Sequence, residues 1–527
     1  MTIHILVAPP ATGKTQICLD LIRQTVQRNP LTQFWILVPD QIQANEMRSR
    51  LVRMGLILPA RVATFGDLYQ EILEQKGCSI PVAGTIMLRR MLQQIIHDLR
   101  AVGQLPYYGQ ICIMPGFQLE ICDRIAELKR ALIMPDRLAE TAQAHQDPGL
   151  IDLATIYTAY QTNLQNLDWA DTEGLSWLAF DALSGDPELM PNLSMLVVDG
   201  FDNFNPTQLR TLHMLAGRIS ETWLTLPGTP EMSRLAHRRF VRGMKNLSAE
   251  WSVEVQTISA LPYLPPTLGQ LETSLFETRV SPFGVGPDLT RLEVRSPAEE
   301  AREALRWLKA RILRDGTPIF SCSIAVPQLD SYRTLLEVAA DEFGLPISFS
   351  QGPLLVTTPA ATAVSDLLDL ALNDYPLRPL LDTIRSPYFD LSALGLPRLA
   401  AKPLEIASRY GQVVQGMEQW EEALKDLTTQ TGKEENPEKL GEEGNPLPQL
   451  PKGEQAKQLM DGLRALASKL APPSGEIPYK EWALWLENLL EDLGFFECIL
   501  QADEEDAGHT IERVLLALGR SEALTGP

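Results

Sequence analysis

Mostly apolar runs alternate with helical patterns along the first part of the chain. Runs at residues 3–7, 34–38 and 61–65 have the length of short strands, and a segment with apolar residues at helical spacing follows each of them. The alternation resumes with strand patterns at 193–198 and 222–226. Repeated strand–helix alternation is typical of a parallel sheet with helices on its faces. We therefore predict an α/β fold for this region.

A block without convincing strand patterns separates the third strand from the fourth. Helical patterns occupy residues 86–99, 117–132, 150–164 and 173–183. We interpret this block, about 78–188, as a helical insertion within the first α/β domain.

The chain divides into four parts by pattern and composition. We place the first domain at residues 1–260 and a proline- and glycine-rich linker at 261–288. The first part of a second α/β domain is predicted at 289–388, and a further helical insertion at 389–527. Within that insertion, about 428–453 is rich in Glu, Lys, Pro and Gly and is predicted to be disordered.

The second α/β domain is predicted to be incomplete. Strand patterns occur at 292–295, 321–326 and 345–349, with helical patterns at 297–312 and 332–343. No later strand pattern would close its sheet, so we expect the chain to be the front part of something longer.

Composition and charge narrow the function. The chain has 527 residues, of which 45% are hydrophobic and 21% charged, as in ordinary globular proteins. The sequence has no run of about 18 apolar residues and no secretory pattern at its N-terminus, so we expect a cytoplasmic protein without a membrane span. A net charge of −21 repels nucleic acid on average, so DNA contact would need a local basic groove or a more basic partner.

The cysteines give no sign of a metal site. The six cysteines are scattered, without a C-x-x-C pair. This spacing argues against zinc, an iron–sulfur cluster or a disulfide framework within this chain.

The first strand leads into a loop that ends in Gly-Lys-Thr, and a helical pattern follows. A phosphate-binding loop requires this order: backbone N–H groups face the phosphates, Lys14 reaches the β/γ oxygens, and the Thr15 hydroxyl binds Mg²⁺. Ala8 stands where the pattern G-x-x-x-x-G-K-[ST] has its first glycine, which is tolerable if its φ stays negative. The alternative is a chance Gly-Lys-Thr at the start of a helix. The predicted ATP-binding loop consists of Ala8, Pro9, Pro10, Ala11, Thr12, Gly13, Lys14 and Thr15.

The strand at 193–198 ends in a carboxylate. In a P-loop ATPase an aspartate at this place orients the water shell of the Mg²⁺ that the loop threonine holds, so we predict that role for Asp199 beside Thr15. The alternative is an ordinary turn, because Asp199-Gly200 is a good turn dipeptide.

The densest basic stretch of the chain follows the strand at 222–226. It is interpreted either as a phosphate track for DNA, with Arg238 and Arg239 as candidate contacts, or equally as a solvated helix face. Its members are Arg234, His237, Arg238, Arg239, Arg242 and Lys245, with Phe240 interleaved.

A P-loop α/β domain, a helical insertion, a second α/β domain and another helical insertion together resemble a UvrD/Rep-type superfamily 1 helicase. Several local segments resemble, more narrowly, the B subunit of the bacterial AddAB-type ATP-dependent helicase–nuclease. This resemblance runs from about residue 1 to 390, and beyond that only the helical character agrees. The segments are 37–41 (LVPDQ) with Glu46, 62–65 (VATF), 198–208 (VDGFDNFNPTQ), 299–302 (EEAR), 324–326 (IAV), 343–347 (FGLPI) and 385–389 (RSPYF).

The resemblance implies two RecA-like P-loop domains that bind ATP and Mg²⁺. It also implies work on double-strand DNA ends for recombinational repair, in which an AddA-type helicase–nuclease subunit is the motor and the B subunit scans DNA. The family's nuclease domain and iron–sulfur cysteines have no counterpart here, so no nuclease residue is carried over. Thr64 and Phe65 stand where motors touch the single strand, and a hydroxyl beside a ring suits phosphate contact and base stacking. The alternative is that Phe65 belongs to the core.

Parts of the hydrolytic machinery expected from the resemblance are missing. Motors carry a glutamate directly after the magnesium aspartate, whereas this chain has Gly200, and loss of such a base typically removes a factor of about 10²–10⁴ in rate. Asp202 is the candidate substitute. Residues 227–231 (PGTPE) replace a G-D-x-x-Q segment, and the chain shows no N-Y-R-S sensor arginine before the second domain. We expect an inactivated motor that binds ATP. The alternatives are an active ATP-dependent translocase and a non-enzymatic scaffold with a vestigial loop.

Overall fold

The chain forms two compact units, residues 1–350 and 351–527, which are described separately below. In the computed structural model, the described residues are 2–30, 32–55, 60–191, 193–229, 234–251, 255–258, 264–278, 280–284, 286–429, 450–475, 477–502 and 504–522.

The first unit is built on one sheet of six strands in the order β3-β2-β4-β5-β1-β6. All of its pairings are parallel, which confirms the predicted α/β sheet. Five of the strands match predicted ones, and the three-residue β6 adds an edge. The strands are β1 (Thr2–Ala8), β2 (Gln33–Leu37), β3 (Ala60–Ala63), β4 (Leu193–Val198), β5 (Glu221–Pro227) and β6 (Val255–Thr257).

The strands are apolar because both faces of the sheet are covered. In β1, Ile5 and Val7 belong to the core on one face, whereas Leu6 belongs to the core on the other. All three side chains are buried. A strand buried on both sides reads as a continuous apolar run, which is the pattern that made it recognisable in the sequence.

Helices cover the two faces of this sheet. The face of Leu6 is covered by α1 (Lys14–Arg28) and α2 (Gln41–Arg53). The face of Ile5 is covered by four further helices. They are α3 (Phe65–Gln75), α8 (Thr172–Gly185), α9 (Pro206–Ala216) and α10 (Arg238–Trp251).

The block between β3 and β4 is helical, as predicted. The β-type pairing in its described residues is one isolated bridge, between Val82 and Ala170. A buried ion pair holds it together: Lys129 Nζ lies 2.7 Å from Asp171 Oδ1, and the Tyr160 hydroxyl donates to the same carboxylate at 2.7 Å. Burial lowers the pKa of Lys129, and Asp171 opposes that shift. Besides α3 and α8, the block contains α4 (Thr85–Ala101), α5 (Pro115–Arg130), α6 (Pro135–His145) and α7 (Pro148–Asn166).

The stretch after β6 contains three further helices. The helix α11 (Pro266–Ser274) lies within the segment interpreted as a linker. The helices α12 (Pro297–Asp315) and α13 (Leu329–Phe343) follow, and both match predicted ones.

The strand predictions at 292–295, 321–326 and 345–349 are wrong for the described residues. The last two segments are extended and pack apolar side chains, including Ile324 and Ile347, against α12 and α13. None of the three pairs with a neighbour in the described part of 286–350. Apolar alternation directs side chains to a core, but a strand also needs a hydrogen-bonded neighbour.

The second unit is helical in its described residues. Its core joins all of these helices around large side chains such as Trp420, Phe389 and Phe495. The predicted disordered segment falls mainly on 430–449, which lie outside the described residues. The helices are α14 (Pro359–Leu372), α15 (Leu377–Arg385), α16 (Ala401–Gly411), α17 (Met417–Thr429), α18 (Glu454–Leu470), α19 (Tyr479–Asp492), α20 (Phe495–Gln501) and α21 (Glu505–Arg520).

The length and hydropathy of the described helices differ from those of membrane spans. Across the described part of the chain, every helix is too short or too polar to cross a bilayer.

Candidate functional site

The parallel sheet brings the predicted site residues to one edge. Ala8 at the end of β1 is in register with Pro227 at the end of β5. The next amide, that of Gly228, donates to the Ala8 carbonyl at 3.1 Å, and the Asp199 amide donates to the Leu37 carbonyl at 3.0 Å. The loop after β1, the turn after β4 and the segment after β5 therefore adjoin at the carboxyl ends of their strands, where ligands bind in open α/β sheets.

The loop from Ala8 to Thr15 is a tight turn that ends at the start of α1. Gly13 and Ala11 both adopt left-handed backbone angles, with φ of 86° and 57°. Ala8 lies inside β1 and is outside that left-handed region, so its methyl group is tolerated. The Thr12 hydroxyl donates to the Pro9 carbonyl at 2.8 Å and fixes the turn from within.

Lys14 is folded back onto its own loop. Its Nζ donates to the carbonyls of Ala8 at 2.7 Å and Pro9 at 2.8 Å. Burial lowers the pKa of Lys14, and the carboxylates of Asp199 and Glu272 oppose that shift. The ammonium group is therefore held against the loop by two neutral carbonyl oxygens, within range of two carboxylates.

The start of α1 offers N–H groups to an anion. Its N-cap is Gly13, which makes no side-chain capping hydrogen bond, and the first turn holds no acidic residue. A helix N-terminus of this kind stabilises a phosphate through its amides and its dipole.

Asp199 is held between two threonines. Thr15 Oγ1 donates to Asp199 Oδ2 at 2.7 Å, and the Thr225 hydroxyl donates to Asp199 Oδ1. The carboxylate is 6% exposed, and both hydroxyls are neutral. The hydrogen-bond partners of this carboxylate are thus neutral, and a hydroxyl and a carboxylate are ligands that suit Mg²⁺.

Among the described residues, no three carboxylate, histidine or cysteine side chains cluster closely enough to hold a metal ion. Magnesium at a phosphate loop does not require such a cluster, because waters and phosphate oxygens supply most of its ligands.

The position after Asp199 has a backbone conformation that disfavours a side chain, and the end of the Gln43 side chain lies against it. Gly200 has φ of 86°, and a Cβ atom placed there would lie 2.4 Å from Gln43 Oε1. Gln43 reaches this place because Asp40 caps α2 and accepts from the Gln43 amide at 2.8 Å. Sequence reasoning noted the missing glutamate but did not find Gln43, since 157 residues separate the two positions.

Asp202 lies on the surface beyond this position. It is exposed, and it lines a small cleft together with Phe204, Leu226 and Phe240.

Phe65 is a core residue, which corrects the expected base-stacking role. It is 6% exposed and packs edge-on against Phe201 and Phe204, with ring centroids 5.3 and 6.4 Å apart. Thr64 caps α3: its hydroxyl donates to Asp67 Oδ2 at 2.9 Å, and the Asp67 carboxylate also accepts from the Thr64 amide. A ring with so little exposed surface does not present a face for base stacking.

The basic helix α10 is amphipathic. Val241, Met244, Leu247 and Trp251 are buried on its inner side. Arg238 is exposed at its first residue. The side chains of Arg239, Arg242 and Lys245 lie outside the described residues.

Two residues of the predicted basic stretch, Arg234 and His237, form a cluster beside the loop with Glu272 and Glu277, which the sequence analysis did not find. Arg234 Nη1 lies 2.8 Å from Glu272 Oε1, and its Nε lies 3.9 Å from Glu277 Oε1. His237 Nε2 lies 3.3 Å from the same Glu272 oxygen, and its Nδ1 is 3.2 Å from the Thr229 hydroxyl. Burial and the nearby arginine lower the pKa of His237 from its ordinary 6.5, so it is neutral at pH 7. No local motif marks these residues.

Comparisons with known proteins bear on the same region. Residues 6–240 match the family model described as "ADDB, N-terminal". Curated proteins named as the B subunit of an ATP-dependent helicase/deoxyribonuclease match most of the chain. The protein of Geobacillus kaustophilus is 23% identical over 384 residues, covering 66% of this chain and 32% of the relative. That of Desulfitobacterium hafniense strain Y51 is 23% identical over 439 residues, covering 76% and 35%. That of Heliobacterium modesticaldum is 24% identical over 432 residues, covering 76% and 35%.

The chain spans about a third of the length of these curated relatives. The matches cover the β1–α1 loop, the helical insertion and the strand that ends in Asp199. They confirm the resemblance to AddB-type proteins, and the family-model match places the N-terminal part of that resemblance at residues 6–240.

Proposed function

We propose that this chain is an ATP-binding, helicase-like part of a cytoplasmic helicase–nuclease that processes double-strand DNA ends for recombinational repair. It binds and scans DNA as an inactivated motor beside an active AddA-type helicase–nuclease partner. The relatives' names support the complex, since they describe an ATP-dependent helicase/deoxyribonuclease. The observation that carries the inactive-motor interpretation is an intact set of Lys14, Thr15 and Asp199 beside a glycine, Gly200, whose positive φ disfavours a glutamate there.

Nucleotide binding follows from the geometry of the loop. Lys14 would exchange two neutral carbonyl partners for phosphate oxygens, and such charge-assisted bonds are about twice as strong as neutral ones. The Thr15 hydroxyl would be the protein's direct ligand to Mg²⁺, and Asp199 would hold the ion's water shell. Bound Mg²⁺ supplies positive charge to the β- and γ-phosphates.

Efficient hydrolysis is disfavoured because Gln43, and not a carboxylate, lies beside the position where motors carry the glutamate that polarises the attacking water. Gln43 fills the space beside Gly200, and a neutral carboxamide does not take up a proton as a general base. Loss of a positioned base typically slows the reaction by about 10²–10⁴. The loop and the aspartate would then hold ATP without turning it over efficiently.

For DNA, we propose a contact through basic side chains at the start of α10. Arg238 is exposed there, and Arg239 follows it in the sequence. Thr64 remains a proposed phosphate contact, whereas the buried ring of Phe65 does not. The proposal extends to a second RecA-like domain that begins with α12 and α13, whose buried core resembles one flank of an α/β sheet.

The test is Mg²⁺-dependent ATP binding and turnover by the purified chain, with and without single-stranded DNA, beside Lys14→Ala. Binding that needs Lys14, with negligible turnover, is the expected result. DNA-stimulated turnover would establish the active translocase instead and make Asp202 the next residue to change. Nucleotide binding that is absent, or unaffected by Lys14→Ala, would leave only the scaffold.

A further inference from the structure

The charged cluster of Arg234, His237, Glu272 and Glu277 adjoins the phosphate loop through a continuous set of contacts. Gly228, directly after β5, donates its amide to the carbonyl of Ala8, which also accepts from Lys14 Nζ. The next residue, Thr229, contacts His237, and His237 contacts Glu272. Through Thr229, the cluster is therefore linked to the end of β5, which adjoins the end of β1 and its loop.

Arg234 is held firmly by α11 in this cluster. Its guanidinium binds both the side-chain carboxylate and the backbone carbonyl of Glu272. Arg234 and Glu272 are each 16% exposed. Glu277 is the second carboxylate within 4 Å of the same guanidinium. Two nitrogens of the guanidinium thus donate to two oxygens of Glu272, one of the side chain and one of the backbone, and the same two nitrogens could donate to two oxygens of a phosphate.

In the observed arrangement, the net negative charge of the cluster would repel a polyanion. Two carboxylates face one arginine, because His237 is neutral at pH 7. Glu272 is also close enough for its charge to act on Lys14. A triphosphate at Lys14 would meet this negative charge in a partly buried site, where charge interactions are weakly screened. The repulsion disappears if the guanidinium turns from the carboxylate to the phosphate.

We propose that Arg234 binds the terminal phosphate of a nucleoside triphosphate and that Glu272 holds Arg234 beside the loop until that phosphate arrives. Arg234 is then the residue that distinguishes a triphosphate from a diphosphate. This inference rests on the proposed nucleotide function of the loop, which Lys14 and Thr15 carry independently of Arg234. Loss of the Arg234–Glu272 contact would also release α11.

The test compares ATP and ADP affinities of the full chain with Mg²⁺, measured by displacement of a fluorescent ADP analogue. Arg234→Gln should lower the ATP affinity about tenfold or more relative to the ADP affinity, because a charge-assisted bond to the third phosphate is lost. Glu272→Gln should raise the ATP affinity several-fold, because the competitor for Arg234 is weakened. The double variant should lose most of that gain, since Glu272 competes for Arg234 and only its weaker direct effect on the charge at Lys14 would remain.

Arg302→Gln is the matched control. Arg302 is exposed and forms an ion pair with Glu342 between α12 and α13. It should leave both affinities unchanged. Thermal unfolding of each variant checks that it folds, and Glu272→Gln keeps the test decisive if Arg234→Gln does not fold.

Three results would overturn the inference. Arg234→Gln could weaken ATP and ADP equally, Arg234→Gln could change neither, or the gain from Glu272→Gln could persist in full without Arg234. If nucleotide binding still depends on Lys14, any of these results would leave the proposed nucleotide function unaffected. The cluster would then only hold α11 in place. If the wild-type chain binds neither nucleotide, both proposals fail.

Discussion

Two neighbouring groups of residues at the carboxyl edge of the sheet, called here the phosphate corner and the water corner, differ in which catalytic parts they contain. The phosphate corner, residues 8–15, has the turn, the lysine, the threonine and an open helix N-terminus. The water corner, residues 199–202, keeps Asp199 but continues with Gly200 against Gln43. Holding a triphosphate and activating water are tasks of different residues, so one can persist without the other. A site with only the first corner intact is suited to binding a nucleotide.

The largest expected effect lies in the phosphate corner. Lys14→Ala should weaken ATP binding by about 10- to 100-fold, because charge-assisted hydrogen bonds to the phosphates are lost. Equilibrium titration with ATP and Mg²⁺ measures this. Lys480→Ala, at an exposed position in α19 of the second unit, is the control and should bind normally. Equal affinities for Lys14→Ala and the wild type would end the claim that this corner binds phosphate.

Placing a glutamate in the water corner is not expected to restore ATP hydrolysis. Gly200→Glu is expected to lower the free energy of unfolding by about 1–3 kcal/mol, because φ is positive and the new Cβ would collide with Gln43. ATP turnover should stay low. Urea unfolding and a phosphate-release assay measure the two effects.

Gly84→Glu is the matched control for that change. Gly84 has φ of −71° and open space at its Cβ position, so little destabilisation is expected. A Gly200→Glu variant that is as stable as the wild type and hydrolyses ATP would show that the corner is not blocked.

The link between the corners is the Thr15–Asp199 contact. Thr15→Val should reduce the enhancement of ATP binding by Mg²⁺ about fivefold to tenfold, because one ligand to the ion is lost. Thr15→Ser keeps the hydroxyl and should retain the enhancement. Titrations with and without Mg²⁺ compare them. An undiminished magnesium effect in Thr15→Val would place the ion elsewhere.

The smallest expected effect is on pH dependence. Burial lowers the pKa of Lys14 below the ordinary 10.5, so the free loop loses this charge at a lower pH than an exposed lysine does. Because phosphate binding favours the protonated form, ATP affinity should be constant at lower pH and fall as pH rises through that lowered pKa. Lys14→Arg, which stays charged, should flatten the profile. A profile that is flat in the wild type up to pH 10.5 would contradict the burial.

The sequence predicted what depends on neighbouring residues. The β1 run, the loop around Lys14 and the strand that ends in Asp199 follow from local pattern, and the structure has them where they were expected. The predicted strands at 321–326 and 345–349 failed because pairing depends on a neighbour that periodicity does not specify.

Contacts between residues far apart in the sequence could not be predicted from local patterns. The packing of Gln43 into the place beside Gly200 has no local signal. Glu272 lies in a stretch whose prolines and glycines indicated a linker, yet it binds Arg234 beside the loop. For Phe65, the sequence left a DNA contact and a core position open, and the packing against Phe201 decides for the core.

A single-turnover experiment tests the central claim most directly. Protein in excess over ATP labelled at the γ-phosphate is mixed with Mg²⁺ and single-stranded DNA, and the reaction is quenched at intervals from milliseconds to minutes. The account predicts that ATP is bound in a Lys14-dependent manner and recovered intact. Release of labelled phosphate within seconds of binding, lost in Lys14→Ala, would contradict it and show that the water corner works.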